Sequence, residues 1–267
     1  MNQIFFTDQL GREVELPGVP KRIISVVPSQ TELLFDLGLA DAIIGVTKFC
    51  IHPGDKVKNI EKIGGTKQLN IAKIKSLKPD LIIANKEENE RRQIEELMQF
   101  CPVWISDIAN LDDAVDMIER VGVLTGKPDV AAVLSHKIQN NFNDLDLPPA
   151  GTRTAYFIWR KPYMIAGSGT FVDDMLRRCG LVNAFDKDRY PEISAEELIA
   201  ADPGVVLLSS EPYPFKQKHI DEIKALLPSA IIKLVDGEMF SWYGSRLLHA
   251  PGYFRVLVET LSEIQPG

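Results

Sequence analysis

Cysteine is scarce in this 267-residue chain, which holds only Cys50, Cys101 and Cys179. Three scattered thiols make no disulfide framework, and an odd count leaves at least one unpaired. No apolar run approaches the roughly 20 residues a membrane-spanning helix needs, which excludes an integral helical membrane protein. Positive charge is also short: 30 Lys and Arg face 37 Asp and Glu, a formal charge of -7, with no basic stripe to serve nucleic acid. The opening Met-Asn-Gln-Ile-Phe-Phe-Thr-Asp has neither the basic segment nor the apolar stretch and small-residue cleavage site of a secretory signal. Either a leader has been removed or the chain stays inside the cell. Gly-x-Gly-x-x-Gly, Gly-x-x-x-x-Gly-Lys, Gly-x-Ser-x-Gly and His-Glu-x-x-His are all missing, so the common nucleotide, serine-hydrolase and zinc-protease chemistries have no anchor. The nearest glycine-rich turn, Gly167-Ser168-Gly169-Thr170, opens a helix and could hold an anion on its amides, but its spacing fits no nucleotide motif.

What is present is βα alternation. The length predicts about two domains, and 45% hydrophobic with 25% charged residues is ordinary globular composition. Phe5 to Leu16, turning at Asp8-Gln9-Leu10-Gly11-Arg12, predicts a small hairpin. Arg22 to Val27 is a β-branched run of the kind buried on both faces of a parallel sheet, followed by a helix with Leu33, Leu34 and Leu37 that Gly38 ends. Strands are predicted over Ala42–Val46, Leu81–Ala84 and Val103–Ser106, and helices over Ile71–Leu77 and near Glu87–Phe100. Val130, Val133, Leu134, Ile138, Phe142 and Leu145 then recur at three- and four-residue intervals, predicting a long amphipathic helix. It ends in Leu147-Pro148-Pro149-Ala150-Gly151, and βα alternation restarts at Arg153–Ile158. The expected organisation is an α/β lobe over 1–127, a helix over 128–147 and a second α/β lobe over 148–267, with mainly parallel sheets.

The halves echo one another. Glu32 to Leu39 resembles Asp174 to Leu181 in pattern, and Ser76 to Ala84 matches Ala200 to Leu208. Any two βα units share a helix, a proline turn and an apolar strand, but two matches in the same order favour related lobes. The segments Arg22–Gly38, Leu77–Ala84 and Ile193–Pro203 resemble the periplasmic cobalamin- and siderophore-binding proteins of ABC importers. That resemblance implies two Rossmann-like lobes joined by one long α-helix, with the ligand in a cleft between lobes that close only slightly.

By the same resemblance the cleft is lined by loops at the carboxyl ends of the strands, where open α/β sheets also bind ligands in general. These loops are Pro28–Thr31, Phe49–Pro53, Asn85–Asn89, Trp159–Met164, Arg189–Pro191, Glu211–Phe215 and Glu238–Arg246. They hold Phe49, Trp159, Tyr163, Tyr190, Tyr213, Phe215, Phe240, Trp242 and Tyr243, rigid faces that suit a flat macrocycle or bulky chelate. For any single ring, core or rim packing is an equal reading. Ser29 and Gln30 join the expected ligand contacts, as do Lys86, Arg160 and Arg246, whose charges could meet ligand carboxylates or phosphates, while surface solvation is the plainer role for Lys86 and Lys161. Cys50 and His52, two residues apart, are the metal-ligating types in these loops. His52 is the candidate axial ligand to a metal already held by a macrocycle, against hydrogen bonding or loop packing.

The function expected is a monomeric solute-binding protein, not an enzyme, carrying a cobalt- or iron-containing chelate, corrinoid first and then haem or ferric siderophore. No cofactor beyond that ligand is implied. Family members carry a surface Glu on each lobe that docks onto the permease; Glu196 stands at that place in the second half, but Ala72, followed by Lys73, stands at the matching place in the first. The resemblance implies a periplasmic location, the missing leader a cytoplasmic one. A cytoplasmic chelate carrier, an enzyme acting on the same ligand and a metal-free interaction module remain the alternatives.

Overall fold

A buried carboxylate organises the first turn. In the computed structural model, which describes residues 4–145, 147 and 151–264, strands β1 (Ile4–Thr7) and β2 (Glu13–Leu16) form the expected antiparallel hairpin. Asp8 accepts from the backbone N–H groups of Leu10 and Arg12, each at 2.9 Å, and from the Arg12 guanidinium. Asp at a turn start satisfies the following amides in this way, and Gly11 supplies the left-handed residue, at φ 75°.

The chain divides into two compact units. One comprises residues up to Ile108 with Asp112–Gln139 and Tyr243–Arg246; the other comprises Ala109–Leu111, Asn140–Trp242 and Leu247 onward. The first unit is built on β3 (Ile23–Ser25), followed by α1 (Pro28–Asp36), β4 (Ile43–Val46), the single turn α2 (Gly54–Val57) and β5 (Glu61–Lys62). A short hairpin, β6 (Gly64–Gly65) and β7 (Gln68–Leu69), leads into α3 (Ile71–Ser76), β8 (Leu81–Asn85), α4 (Arg91–Leu97) and β9 (Val103–Ser106). Its sheet has the order β5-β4-β3-β8-β9 with every pairing parallel. Ile23, Ile24, Ile82, Ile83 and Trp104 are fully buried in it, as β-branched runs covered on both faces must be. α1 begins at Pro28, whose fixed φ suits the first helical position. Pro28–Thr31 is therefore the first turn of a helix and not a loop, which turns Ser29 and Gln30 inward.

Beyond the sheet come α5 (Leu111–Leu124), an element the hydrophobic pattern above does not assign, and α6 (Pro128–Asn143). A Cβ on Gly122 would sit 2.2 Å from that of Ala131, so α5 and α6 touch where only glycine fits. The buried stripe of α6 is Ala131, Leu134, Ser135, Ile138 and Phe142, whereas Val130 and Val133 are exposed. At 3.6 residues per turn Val133 falls on the far side from Ile138, and Val130 at the edge of the buried arc. α6 gives Pro128–Gln139 to the first unit and the remainder to the second. The proline-rich end expected for it, Pro148–Ala150, lies outside the described residues.

The second unit is built on β10 (Arg153–Trp159) and runs through β11 (Tyr163–Ile165), α7 (Phe171–Arg178), β12 (Val182–Asn183), β13 (Glu192–Ile193), α8 (Ala195–Ala201), β14 (Val205–Ser209), α9 (Gln217–Leu226), β15 (Ile231–Val235), α10 (Glu238–Ser241) and α11 (Ala250–Ile264). Its sheet has the order β13-β11-β10-β14-β15, with β12 also on β10. β10, β12, β14 and β15 are parallel, while β11 and β13 are antiparallel additions. Ala155, Phe157, Ile165, Val206, Leu208 and Ile223 anchor its core.

The internal echo survives at the level of backbone conformation. Gly38 and Gly180 stop α1 and α7 at φ 76° and 75°, and the next residue's N–H closes the same bond in each case, Leu39 to Leu34 O and Leu181 to Leu176 O, both at 3.0 Å. The second match repeats equally: Lys78 and Asp202 both adopt positive φ, 49° and 43°, immediately before Pro79 and Pro203.

Candidate functional site

In the second unit the carboxyl ends of β10 and β14 bring together a group of aromatic and charged side chains. Trp159, the last residue of β10, is 40% exposed and meets Tyr213 edge to face at 5.5 Å. Tyr213 packs in turn on Phe215 at 4.8 Å and on His219 at 5.5 Å. His219 lies in the first turn of α9 and is buried. Its Nδ1 accepts from the Lys216 N–H at 2.8 Å, which leaves Nε2 to carry the proton of a neutral ring, 3.3 Å from the Tyr213 hydroxyl. Burial, with Lys218 and Arg160 adding to it, holds the imidazole below its ordinary pKa, so it is neutral around pH 7.

One turn along α9, Glu222 takes the Arg160 guanidinium in a two-point fork, Nε at 2.9 Å and Nη2 at 2.6 Å from Oε2. The Tyr163 hydroxyl donates to its other oxygen. The Arg160 bond holds Glu222 below the ordinary carboxylate range, and the same bond pushes Arg160 up, so both are ionised. Burial, followed by the hydrogen bond to Glu222, pushes Tyr163 up to about 12, which keeps its phenol protonated and donating.

At the ends of β14 and β15 stands a second carboxylate, Glu211, which accepts from the Trp242 indole N–H at 2.7 Å and from Ser241 Oγ at 2.9 Å. Burial raises its pKa against those two bonds, and Glu238 and Asp236 push it further up. Trp242 is only 6% exposed and Phe240 not at all, its ring lying 5.0 Å from Tyr156 and 4.8 Å from Phe254. The segment Glu238–Arg246 is accordingly no open loop. It folds into α10 and a 3-10 turn over Ser245–Leu248, and its apolar side chains pack inward because the chain coils there. Phe215 is likewise buried, as part of the second unit's core. Tyr190 is half-buried beside Arg189, at φ 64°.

The first two amides of the Gly167-Ser168-Gly169-Thr170 turn are already used. Its Gly167 and Ser168 amides donate at 2.8 Å to Arg189 O and Lys187 O, and a Cβ on Gly167 would lie 1.9 Å from Lys187 O. Thr170 caps α7 by accepting from the Asp173 N–H.

The first unit carries a polar network at its own strand ends. Gln30 Nε2 and Asn85 Nδ2 both donate to Ser106 Oγ, which donates to Ala84 O. Gln30 is fully buried, and its Oε1 has no hydrogen-bond partner. Asn89 closes the β8 loop, accepting from Asn85 N at 2.8 Å and donating to Val26 O at 3.1 Å. Lys86 is paired with Asp107 at 2.6 Å. Arg246 forks onto Glu32 with bonds of 2.9 Å and 2.6 Å, and a Cβ on nearby Gly244 would lie 3.0 Å from Ser29 O, so Tyr243–Arg246 packs closely on α1. Tyr243 is buried.

Cys50 and His52 differ in burial. The Cys50 thiol is buried against Thr31 Oγ1 at 3.1 Å and Thr47 Oγ1 at 3.2 Å, and burial raises its pKa; His52 is half-exposed. Among the described residues no three His, Cys, Asp or Glu side chains are grouped to hold a metal ion. Phe49 is exposed, with the Lys48 ammonium 5.0 Å from its ring centre. Glu196 is exposed at the second position of α8, behind the Ser194–Glu197 capping box, and Ala72 occupies the second position of α3. Lys73, next to it, is paired with Glu61.

The residues that sequence reasoning missed are the carboxylate partners, Glu222, Glu32, Asp107 and Glu211, and the buried His219. Glu222 lies 62 positions from Arg160 and Glu32 lies 214 from Arg246, separations for which no local spacing rule exists.

Paired α/β units with aromatic and charged side chains at their strand ends, rather than a nucleotide-binding turn, define the class as a two-unit α/β binding protein. The family described as periplasmic binding protein matches residues 23–226, and the chain belongs to that family. A vitamin B12-binding protein of Vibrio cholerae is 30% identical over 199 residues, covering 72% of each chain. Among solved structures, the periplasmic vitamin B12 binding protein BtuF of Vibrio cholerae has a TM-score of 0.77 at 24% identity, covering 91% of this chain and 98% of that one. The periplasmic heme-binding protein RhuT from Roseiflexus has 0.75 at 21% identity, covering 92% and 99%. The structural likenesses establish the shared fold.

Proposed function

We propose that this chain is the solute-binding component of an ABC-type importer and that its solute is a metal chelate, a cobalt corrinoid of the vitamin B12 class first, then haem or a ferric siderophore. The observation that carries the reading is the 30% identity, over 72% of both chains, to a protein named for binding vitamin B12. The aromatic group at the end of β10 supports it, because Trp159 and Tyr213 offer the faces that a flat macrocycle buries. The metal arrives within the ligand as cargo, and the chain does no chemistry on it. The working location is the periplasm. Glu196 is the docking contact for the permease from the second unit, and Ala72 leaves the first unit without its counterpart.

The test is a titration with cyanocobalamin followed by tryptophan emission. Trp159 is 40% exposed whereas Trp104 is fully buried, so quenching should saturate with a residual signal from Trp104. Trp159→Ala should weaken binding by about 1–3 kcal/mol through lost stacking and buried area. Absence of saturable quenching by any corrinoid, haem or ferric siderophore at micromolar protein would overturn the reading. His52→Ala separates two roles: loss of an axial ligand alters the visible spectrum of the bound metal, whereas loss of packing changes affinity alone.

A further inference from the structure

The sequence offers Arg160 to anionic groups on a ligand, but its Nε–Nη2 edge is already taken. Both Arg160 Nε and Nη2 donate to Glu222, and Glu222 also accepts from Tyr163. A carboxylate on a ligand reaching that edge would have to displace Glu222, and one reaching the Nη1 side would meet a guanidinium whose charge Glu222 already offsets. Nor does a neighbour offer a substitute of equal strength. Lys161, Lys216 and Lys218 are exposed, so their hydrated ammonium groups attract an anion only weakly. His219 is held neutral. What the group does present is the Trp159 face and the Tyr213 hydroxyl; because His219 Nε2–H points at the Tyr213 oxygen, the phenol proton remains to be donated outward.

We propose that Glu222 is a specificity-determining residue: by offsetting the Arg160 charge and occupying its Nε–Nη2 edge it selects chelates with a neutral, hydrogen-bond-accepting periphery, such as carboxamides, over chelates that carry carboxylates. The inference rests on the chelate-binding reading above. The first unit repeats the device once, since Arg246 is closed on Glu32 in a fork of its own. Because the Arg160 bond holds Glu222 below the ordinary carboxylate range, the discrimination persists throughout the neutral and mildly acidic range.

The experiment compares haemin, which carries two propionates, with haemin dimethyl ester, which carries none, and uses cyanocobalamin as the amide-bearing reference. All are titrated into the full chain and into Glu222→Gln. The wild type should bind the ester at least as tightly as haemin. Glu222→Gln, which keeps the size of the side chain but removes the charge that offsets the guanidinium, should shift the haemin-to-ester affinity ratio toward haemin by roughly tenfold, the worth of a charge-assisted contact. A wild type that prefers haemin over its ester by tenfold overturns the proposal even if the variant fails to fold, and so does a ratio that Glu222→Gln leaves unchanged. If neither porphyrins nor cyanocobalamin bind, the chelate reading itself falls and takes this one with it. Cyanocobalamin binding alongside a preference for haemin over its ester would sink only the role of Glu222.

Discussion

Trp242→Phe should destabilise the protein mainly by taking one of two donors from a buried carboxylate. Glu211 accepts the Trp242 indole N–H at 2.7 Å and Ser241 Oγ at 2.9 Å. Phenylalanine keeps a ring in the wall but deletes the N–H. A hydrogen bond to a charged group contributes about 1.5–3 kcal/mol, and the smaller ring forfeits roughly 1 kcal/mol of burial. The loss near pH 8 should therefore be about 2.5–4 kcal/mol. In a Glu211→Gln background the same change removes only a neutral bond, about 1 kcal/mol, so the double-mutant cycle should show a coupling of about 0.5–2 kcal/mol. The proton adds an independent handle. Burial raises the pKa of Glu211 in the folded state, so between the ordinary carboxylate value and the raised one the folded state binds more protons than the unfolded, and this group's contribution to stability falls as pH rises. Removing the indole bond, one of the two side-chain bonds that lower the pKa, widens that interval, so the Trp242→Phe deficit should shrink between about pH 8 and about pH 5. Urea unfolding of the four proteins at both pH values measures this, with differences taken so that other carboxylates cancel. A deficit equal at both pH values, with no coupling to Glu211→Gln, would refute the argument.

Two further outcomes follow from packing. Gly122→Ala would place its Cβ 2.2 Å from that of Ala131, so chemical denaturation should show a loss of about 1–3 kcal/mol from overpacking, whereas Gly252→Ala, in the first turn of α11 with nothing within 4 Å, should gain about 0.5–1 kcal/mol. All three cysteines are free and buried, and burial raises each thiol, Cys101 up to about 12. An aromatic disulfide reagent at about pH 8 should thus label the native chain far more slowly than the urea-unfolded chain, in which all three react; rapid native labelling would mean that the burial is wrong.

Much of the scaffold was legible because its signals are local. Val103–Ser106 is a strand with the bounds its apolar run suggests, and Ile71–Ser76 differs from its expected helix by one residue. The echoes between the halves were legible for the same reason, since Gly38 and Gly180, or Lys78-Pro79 and Asp202-Pro203, write backbone conformation directly into sequence. The pattern failed where two readings share one composition. Pro28-Ser29-Gln30-Thr31 contains the polar and proline residues of a loop and equally those of a helix's first turn, and only the packing of Thr31 and Leu34 into the unit decides for the helix. In α6, valines at 130 and 133 fit a three-and-four spacing as well as the residues that are actually buried, because a sixteen-residue helix has room for more than one apolar stripe.

The site was legible only as an inventory. The strand pattern and the resemblance placed Trp159, Tyr213 and Arg160 at strand ends, but whether a side chain there faces a ligand or its own fold depends on partners far away in sequence. Phe240 shows this for rings: its short helix packs it against Tyr156 and Phe254, and the core keeps it. Arg160 and Arg246 show it for charge. Each looks like an open cation in sequence, and each is closed by a carboxylate from a helix, Glu222 on α9 and Glu32 on α1. A fork of two short bonds to an ionised, partly buried partner costs more to break than an exposed surface pair, which is typically worth no more than about 1 kcal/mol. The charge that a ligand meets is therefore a property of the folded pairings rather than of the residue count. Two arginines in strand-end loops argue for an anionic ligand only until their carboxylates are found.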